Sequence, residues 1–303
     1  MELAIQDANR FFQRYEEIRH RLPAHNSIGK TENANSLSEL DFSFDVFVFD
    51  SFGVLNVGDQ VIHSALECIR QLRRKGKRIF VLTNAATTPI AGLPQKYRDL
   101  GFDFSAGEII SSRQILAKSL TSYPDHWHWA ISLAEKYSPN ELGVPFELFD
   151  LQKDEWRSCD GFMLMSSRTI DEPLFAEIRN ELQSRPRPVL VGNPDLASPW
   201  ETGFNVEPGE YAHRLTDQLG LEPVFFGKPY ANAFDELFAR LPENFDRRRA
   251  VMIGDTLHTD ILGGAAAGMS TILVTGHGVL KSMDISECIK VSGICPDYVI
   301  PSI

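Results

Sequence analysis

Apolar positions along this chain come in two registers. Near the start, Phe11, Tyr15, Ile18 and Leu22 follow one another at helical spacing, so Leu3 to Leu22 is predicted as an amphipathic helix. That helix is expected to pack on the main body or on a second subunit, as in a homodimer. A polar run from His25 to Ser38 then reads as a linker, with the fold proper beginning after it. From there the pattern changes to short, continuous, β-branched and aromatic runs, as expected of strands buried on both faces of a parallel sheet. Phe44 to Phe49 ends at Asp50, and Arg78 to Leu82 ends at Thr83 and Asn84. Ala250 to Gly254 ends at Asp255, and Ser270 to Val274 follows a small-residue helix that stops at Gly268. Between the first two runs, Ser64-Ala65-Leu66-Glu67 has the capping-box pattern and opens a helix that Gly76 can close. Strand, helix, strand units of this kind build parallel sheets with right-handed crossovers, which predicts a doubly wound α/β core.

From about Asp125 to Glu207 the alternation breaks. The segment is rich in Trp, Pro and mixed charge, yet holds strands at Gly161 to Met165 and Pro188 to Gly192 and a helix from Glu172 to Gln183. It reads as an inserted α/β domain. His126-Trp127-His128-Trp129 within it suits aromatic packing at the start of a strand or helix better than a metal site. The expected organisation is therefore an N-terminal helix and linker over 1–40, a core over 41–124 and 208–303, and the insertion over 125–207. The insertion is expected to form a separable body hinged to the core by two chain crossings and closing over the cleft.

The totals narrow the function. The 303 residues are about twice a usual domain, and 43% hydrophobic with 23% charged residues is ordinary globular composition. No apolar run approaches the roughly 20 residues of a membrane helix. The start, Met1-Glu2-Leu3-Ala4-Ile5-Gln6-Asp7, lacks a basic, apolar signal sequence, so the cytoplasm is the expected compartment. Cys68, Cys159, Cys288 and Cys295 show no metal-binding or disulfide spacing. A net charge of −11 argues against nucleic acid as a partner, and the lack of a long apolar run argues against a membrane. A phosphorylated small molecule is still allowed, because one divalent cation and one lysine can reverse the field inside a cleft.

Four segments at strand ends or helix starts supply what phosphoryl transfer needs. Asp50, followed by Gly53 for a tight turn, is a carboxylate placed to attack phosphorus. Thr83 and Asn84 offer a hydroxyl and an amide to a phosphoryl oxygen. In Gly227-Lys228-Pro229 the lysine can neutralise both the nucleophile and the transferring group, while Pro229 suits the first turn of a helix running to Leu241. Gly254-Asp255-Thr256-Leu257-His258-Thr259-Asp260 carries two acids on a strand-to-helix turn, the oxygen-rich setting magnesium prefers.

In order and position these segments resemble the four motifs of the haloacid dehalogenase superfamily, and most closely its NagD-like branch, class IIA. That branch sets its cap between the second and third motifs, where this chain has its insertion. Gly192-Asn193-Pro194-Asp195-Leu196-Ala197-Ser198-Pro199 is similar to the branch's cap segment. The resemblance covers about Asp45 to the C-terminus. It implies an α/β core with an α/β cap and a magnesium-dependent phosphatase acting on a small phosphorylated metabolite through an aspartyl-phosphate on Asp50. It further implies Lys228 as charge stabiliser, Thr83 and Asn84 as phosphate ligands, and Mg2+ held by Asp50, the carbonyl of Phe52 and Asp255, with Asp260 beside them. Asn193 and Asp195 either face the substrate or close a turn on their own side chains.

Position 52 departs from the family. Active members usually carry an aspartate there, which protonates the leaving oxygen and later activates water. Phenylalanine cannot move a proton, and general acid–base help is worth about a hundredfold to ten-thousandfold. Three accounts fit the residues. Asp59, His63 or His258 takes over the role, or the leaving group needs no acid. Alternatively, the protein is a catalytically silent binder or sensor of a phosphorylated ligand. The third account, metal-free dehalogenase chemistry, matches the acids at 255 and 260 less well.

Overall fold

The computed structural model describes residues 8–25, 30–40, 44–200 and 203–303. The strand-like runs of the sequence assemble into a seven-stranded sheet, every neighbouring pair of which is parallel. Its order is Glu32–Asn33, Tyr298–Ile300, Ser270–Val274, Ala250–Gly254, Val46–Phe49, Arg78–Thr83, Ile109–Ser111. From Val46–Phe49 the chain winds outward through Arg78–Thr83 to Ile109–Ser111, and it returns later to fill the other side from Ala250–Gly254. The winding therefore reverses between Val46–Phe49 and Ala250–Gly254, and in open α/β sheets the crevice beyond such a switch point is where ligands bind. Asp50 and Asp255 stand at those two strand ends.

Alternate residues of the central strands divide two apolar layers, as the strand period of two requires. Phe47, Phe49, Val251 and Ile253 pack under the His63–Arg74 helix with Ala65, Ile69 and Leu72. Val46, Val48 and Met252 face the opposite layer, with Leu116 of the Ser112–Ser119 helix and Phe234 of the Ala231–Phe238 helix.

Residues of the insertion form a separate five-stranded parallel sheet, in the order Val224–Phe225, Val189–Val191, Gly161–Leu164, Trp129–Ile131, Phe146–Leu148. None of them enters the central sheet. The second sheet nevertheless extends beyond the expected boundary at 207, because Val224–Phe225 pairs with Leu190 and Val191, and the Pro208–Leu219 helix covers one face of that sheet through Tyr211, Ala212 and Leu215. Its other face is not independent of the core. Trp129, Ile131, Met163 and Leu190 belong to the same buried cluster as Val46, Phe80 and Met252. Trp129 is fully buried and packs against Tyr123 and Trp127, so the aromatic reading of the His126–Trp129 run describes this strand.

Several local expectations are corrected. The linker is not outside the fold, since Glu32–Asn33 adds an edge strand beside Tyr298–Ile300. The helix near Ser64 starts one residue earlier, at His63, without a side-chain cap, and the Ser64 hydroxyl meets Ser302 instead. Pro229 lies before the Ala231–Phe238 helix rather than in its first turn, because Tyr230 is extended and caps the helix that begins after it. Residues 1–7 of the expected first helix, 26–29 of the linker and 41–43 at the start of the core lie outside the described residues.

The first helix spans Ala8–Glu17 and packs on its own chain: Phe11, Phe12 and Tyr15 join Leu257, Ile261 and Leu273 of the core and Leu196. Arg14 pairs with Glu210 at 3.0 Å and also with Asp217, both on the Pro208–Leu219 helix. The helix therefore touches both bodies. Phe11 is 2% exposed, with its ring edge-on to Phe204, so Phe11→Ala is expected to cost about 3 kcal/mol in urea unfolding. A cost below about 0.5 kcal/mol would mean that the helix is not docked in solution.

Candidate active site

Backbone geometry brings the strand-end acids together. Gly53 has φ +81, and a Cβ there would stand 2.6 Å from the Asp255 carboxyl carbon, so the turn after Asp50 closes against Asp255 only with glycine. Asp50, Asp255 and Asp260 each offer one carboxylate oxygen within 4.8 Å of the others. Lys228 is buried and reaches two of them, its Nζ lying 2.6 Å from Asp50 Oδ1 and 2.6 Å from Asp260 Oδ1. Asp255 accepts from the Val279 backbone N–H and the Thr256 hydroxyl, and Asp260 accepts from the Thr256 N–H.

Three carboxylates around one ammonium leave an excess of negative charge. Burial first, then Asp260 and Asp50, pushes the Asp255 carboxyl well above the carboxylate range. Burial likewise raises Asp260, against the pull of Lys228. Burial works against charge on Lys228, yet Asp260 and Asp50 hold it above its ordinary value. Such a cluster fits a divalent cation, whose hard charge prefers carboxylate oxygens and relieves their mutual repulsion.

The predicted ligands converge on this point, with roles the sequence did not separate. Thr83 lines the cleft; its oxygen accepts from the Ala85 N–H, and its hydroxyl also has the Tyr97 hydroxyl as a partner. Asn84 is differently used. Its two amide protons go to Asp195 Oδ1 at 2.8 Å and the Lys228 carbonyl at 2.9 Å, and its oxygen accepts from the Lys228 N–H. Its side chain is thus a latch on the Lys228 loop with no proton left for phosphate. Asn193 accepts from the Asp195 N–H, closing the turn on its own side chain, and donates to Glu207. Asn193 and Asp195 still line the same cleft of about 330 Å³ as Asp50, Phe52 and Asp255.

Of the three acid–base candidates, only Asp59 lines this cleft. His258 points the other way, stacked on Tyr15 at 4.7 Å and bonded to Glu16 of the first helix, and burial lowers its pKa. His63 is exposed at the start of its helix and is not part of the cleft wall. Four further residues of the cleft carried no signal in the sequence: Lys96, Arg168, Trp200 and Glu207. Burial pushes the Lys96 ammonium down to about 8, against the opposing pull of Asp59 and Asp50.

Burial pushes Glu207 up to about 7, against the Ser198 hydrogen bond and the charge of Arg168. Because the folded pKa lies above the ordinary glutamate value of 4.5, the folded state binds the extra proton, and stability falls as pH rises between those values. Glu207→Gln removes that loss. Its stability relative to wild type is expected to improve by ~3 kcal/mol between pH 4 and pH 8, read from urea midpoints. A difference independent of pH would refute the assignment.

The arrangement meets known proteins over most of the chain. The haloacid dehalogenase-like hydrolase family matches residues 47–136, and the HAD-hydrolase-like family matches residues 225–303. The chain belongs to the haloacid dehalogenase superfamily. Within it, the NagD-like class IIA branch fits best, and this superfamily member is a phosphatase-like hydrolase. It is 25% identical over 296 residues to the 4-nitrophenylphosphatase of Schizosaccharomyces pombe, covering 90% of this chain and 97% of that one. It is 30% identical over 259 residues to the putative NipSnap protein K02D10.1 of Caenorhabditis elegans, covering 78% of this chain but only 49% of that longer protein. Among solved structures, a possible sugar phosphatase of the superfamily from Cytophaga hutchinsonii aligns with a TM-score of 0.79 at 27% identity, covering 90% of this chain and 98% of its own. No helix among the described residues is long and apolar enough to cross a membrane.

Proposed function

We propose that this superfamily member is a magnesium-dependent phosphatase of small phosphorylated metabolites, working through an aspartyl-phosphate on Asp50. The observation that carries the reading is the contact of Lys228 Nζ with both Asp50 and Asp260 at the switch point of the sheet. An Asp50 oxygen attacks phosphorus while the bond to the leaving oxygen breaks, and water later cleaves the phospho-aspartate to inorganic phosphate. Lys228 holds the Asp50 carboxylate in line through its 2.6 Å contact, and it offsets charge on the transferring phosphoryl group. The Thr83 hydroxyl donates to a phosphoryl oxygen, and Asn84 holds the Lys228 loop in place. Asp50, the Phe52 carbonyl and Asp255 would hold Mg2+, with Asp260 orienting Lys228; when bound, the ion supplies charge neutralisation at the phosphoryl oxygens. The five-stranded body serves as the cap that excludes water from the cleft.

Lys96 stands over the Phe52 ring and Asp59 lines the same cleft, and neither occupies the place of an aspartate at position 52. The reading therefore includes a preference for leaving groups that depart without a proton. A screen of phosphate esters with magnesium or with EDTA tests it. Hydrolysis of at least one ester that falls more than about a hundredfold on chelation is expected. A protein that binds phosphorylated ligands and hydrolyses none would instead be the silent sensor.

A further inference from the structure

The wall of the cleft beside the acids is neither acidic nor plain. Lys96 Nζ stands 4.8 Å from the centre of the Phe52 ring, and the Phe52 ring lies 6.5 Å from Trp200 at an angle of 32°. The guanidinium of Arg168 stacks on Trp200 at 4.7 Å. Ammonium, ring, ring and guanidinium thus form one continuous row, and all four side chains line the cleft that also holds Asp50. They come from four separate places in the chain, and Arg168 and Trp200 are contributed from beyond the core's first strands.

Transfer of a phosphoryl group alone needs none of this row. Phe52 and Trp200 are only partly buried, so each keeps apolar surface open to the cleft. Their centres are too close for a third ring to enter between them, since two stacked gaps would need about 7 Å, but a flat group can lie across their shared face. Arg168 is exposed and makes no ion pair within 4.0 Å among the described residues, although its charge is felt at Glu207. Stacking on an indole holds a guanidinium plane while leaving its N–H edge free, and that edge matches a carboxylate or phosphate through two parallel hydrogen bonds.

We propose that this row is the leaving-group subsite, taking a phosphate monoester whose leaving group is a planar ring with a second anionic group, the ring on Phe52 and Trp200 and the anion on Arg168. The proposal rests on the phosphatase reading above and names its substrate class. It agrees with the chemistry at position 52, because an oxygen attached to an aromatic ring is a weaker base and leaves with less help from an acid.

Binding of non-hydrolysable phosphonates to the intact protein in magnesium, by calorimetry, tests the subsite without relying on turnover. Wild type is expected to bind 4-carboxybenzylphosphonate about tenfold or more tightly than benzylphosphonate. Arg168→Gln should bring the two within about twofold of each other, and Trp200→Ala should weaken both by about tenfold while leaving 4-phosphonobutyrate within about twofold. Equal wild-type affinity for the two benzyl ligands overturns the proposal. So does an Arg168→Gln effect of the same size on both, which would make Arg168 a brace for Trp200, and so does failure to bind any phosphonate. If the preferences appear while no ester is hydrolysed, the subsite stands and the phosphatase reading falls. If esters are hydrolysed with no preference for ring or carboxylate, the reverse holds.

Discussion

Phe52→Asp is expected to hydrolyse a sugar phosphate at least about a hundredfold faster than the wild type, and to gain much less on an aryl phosphate. An alkoxide leaving a sugar is strongly basic and must be protonated as it departs, whereas a phenolate leaves with little help. The wild type should therefore favour aryl over sugar phosphates, and the new carboxylate should narrow the gap from the slow side. Space for it exists where the ring now stands between Lys96 and Trp200, and Lys96 would meet it as a cation. Initial rates on phenyl phosphate and a hexose phosphate decide the matter. An ordinary wild-type rate on the sugar ester, unchanged in Phe52→Asp, would mean that Asp59 or Lys96 already supplies the proton.

Asp50→Asn should lose at least roughly 10⁴-fold in rate on every substrate, because an amide cannot take the phosphoryl group and no other cleft residue holds the nucleophile's place. Its stability should not fall with its activity. Asp50, Asp255 and Asp260 crowd like charges together, so removing one relieves repulsion even as the Lys228 contact weakens. Lys228→Met is the contrasting variant. It also abolishes turnover, but it leaves buried Asp260 without its cation and should cost about 3 to 5 kcal/mol in unfolding free energy. Equal stability losses in the two variants would show that the cluster is held by something other than charge.

The parts of this fold that could be read from the sequence are those where a single segment carries its own signal. Val46–Phe49, Arg78–Thr83, Ala250–Gly254 and Ser270–Val274 are apolar because both faces of a parallel strand are buried, and their ends mark the site. Glu32–Asn33 could not be read this way, since two polar residues become a strand only through the pairing offered by Tyr298 and Val299. The boundary at 207 failed for a related reason. The pattern after it returns to helix and strand, and only the pairing of Val224–Phe225 with Leu190 and Val191 assigns them to the second sheet. Asn84 was placed near the phosphate by its position at a strand end, but its protons are used by Asp195 and Lys228, which are distant in the chain. Lys96, Arg168 and Trp200 escaped notice because a row of rings and cations assembled from separate loops has no spacing to recognise.

The cluster shared by the two sheets bears on solubility. Leu116, Leu120 and Phe234 share one buried cluster with Trp129, Ile131, Met163 and Leu190, so the apolar sides of the two bodies are complementary halves of one interior. A chain trimmed to the seven-stranded part would present its half to water as a broad hydrophobic patch, of the kind that drives self-association. The excised insertion would carry the matching half. Neither piece could be made as a well-behaved soluble protein without repainting that face with polar residues.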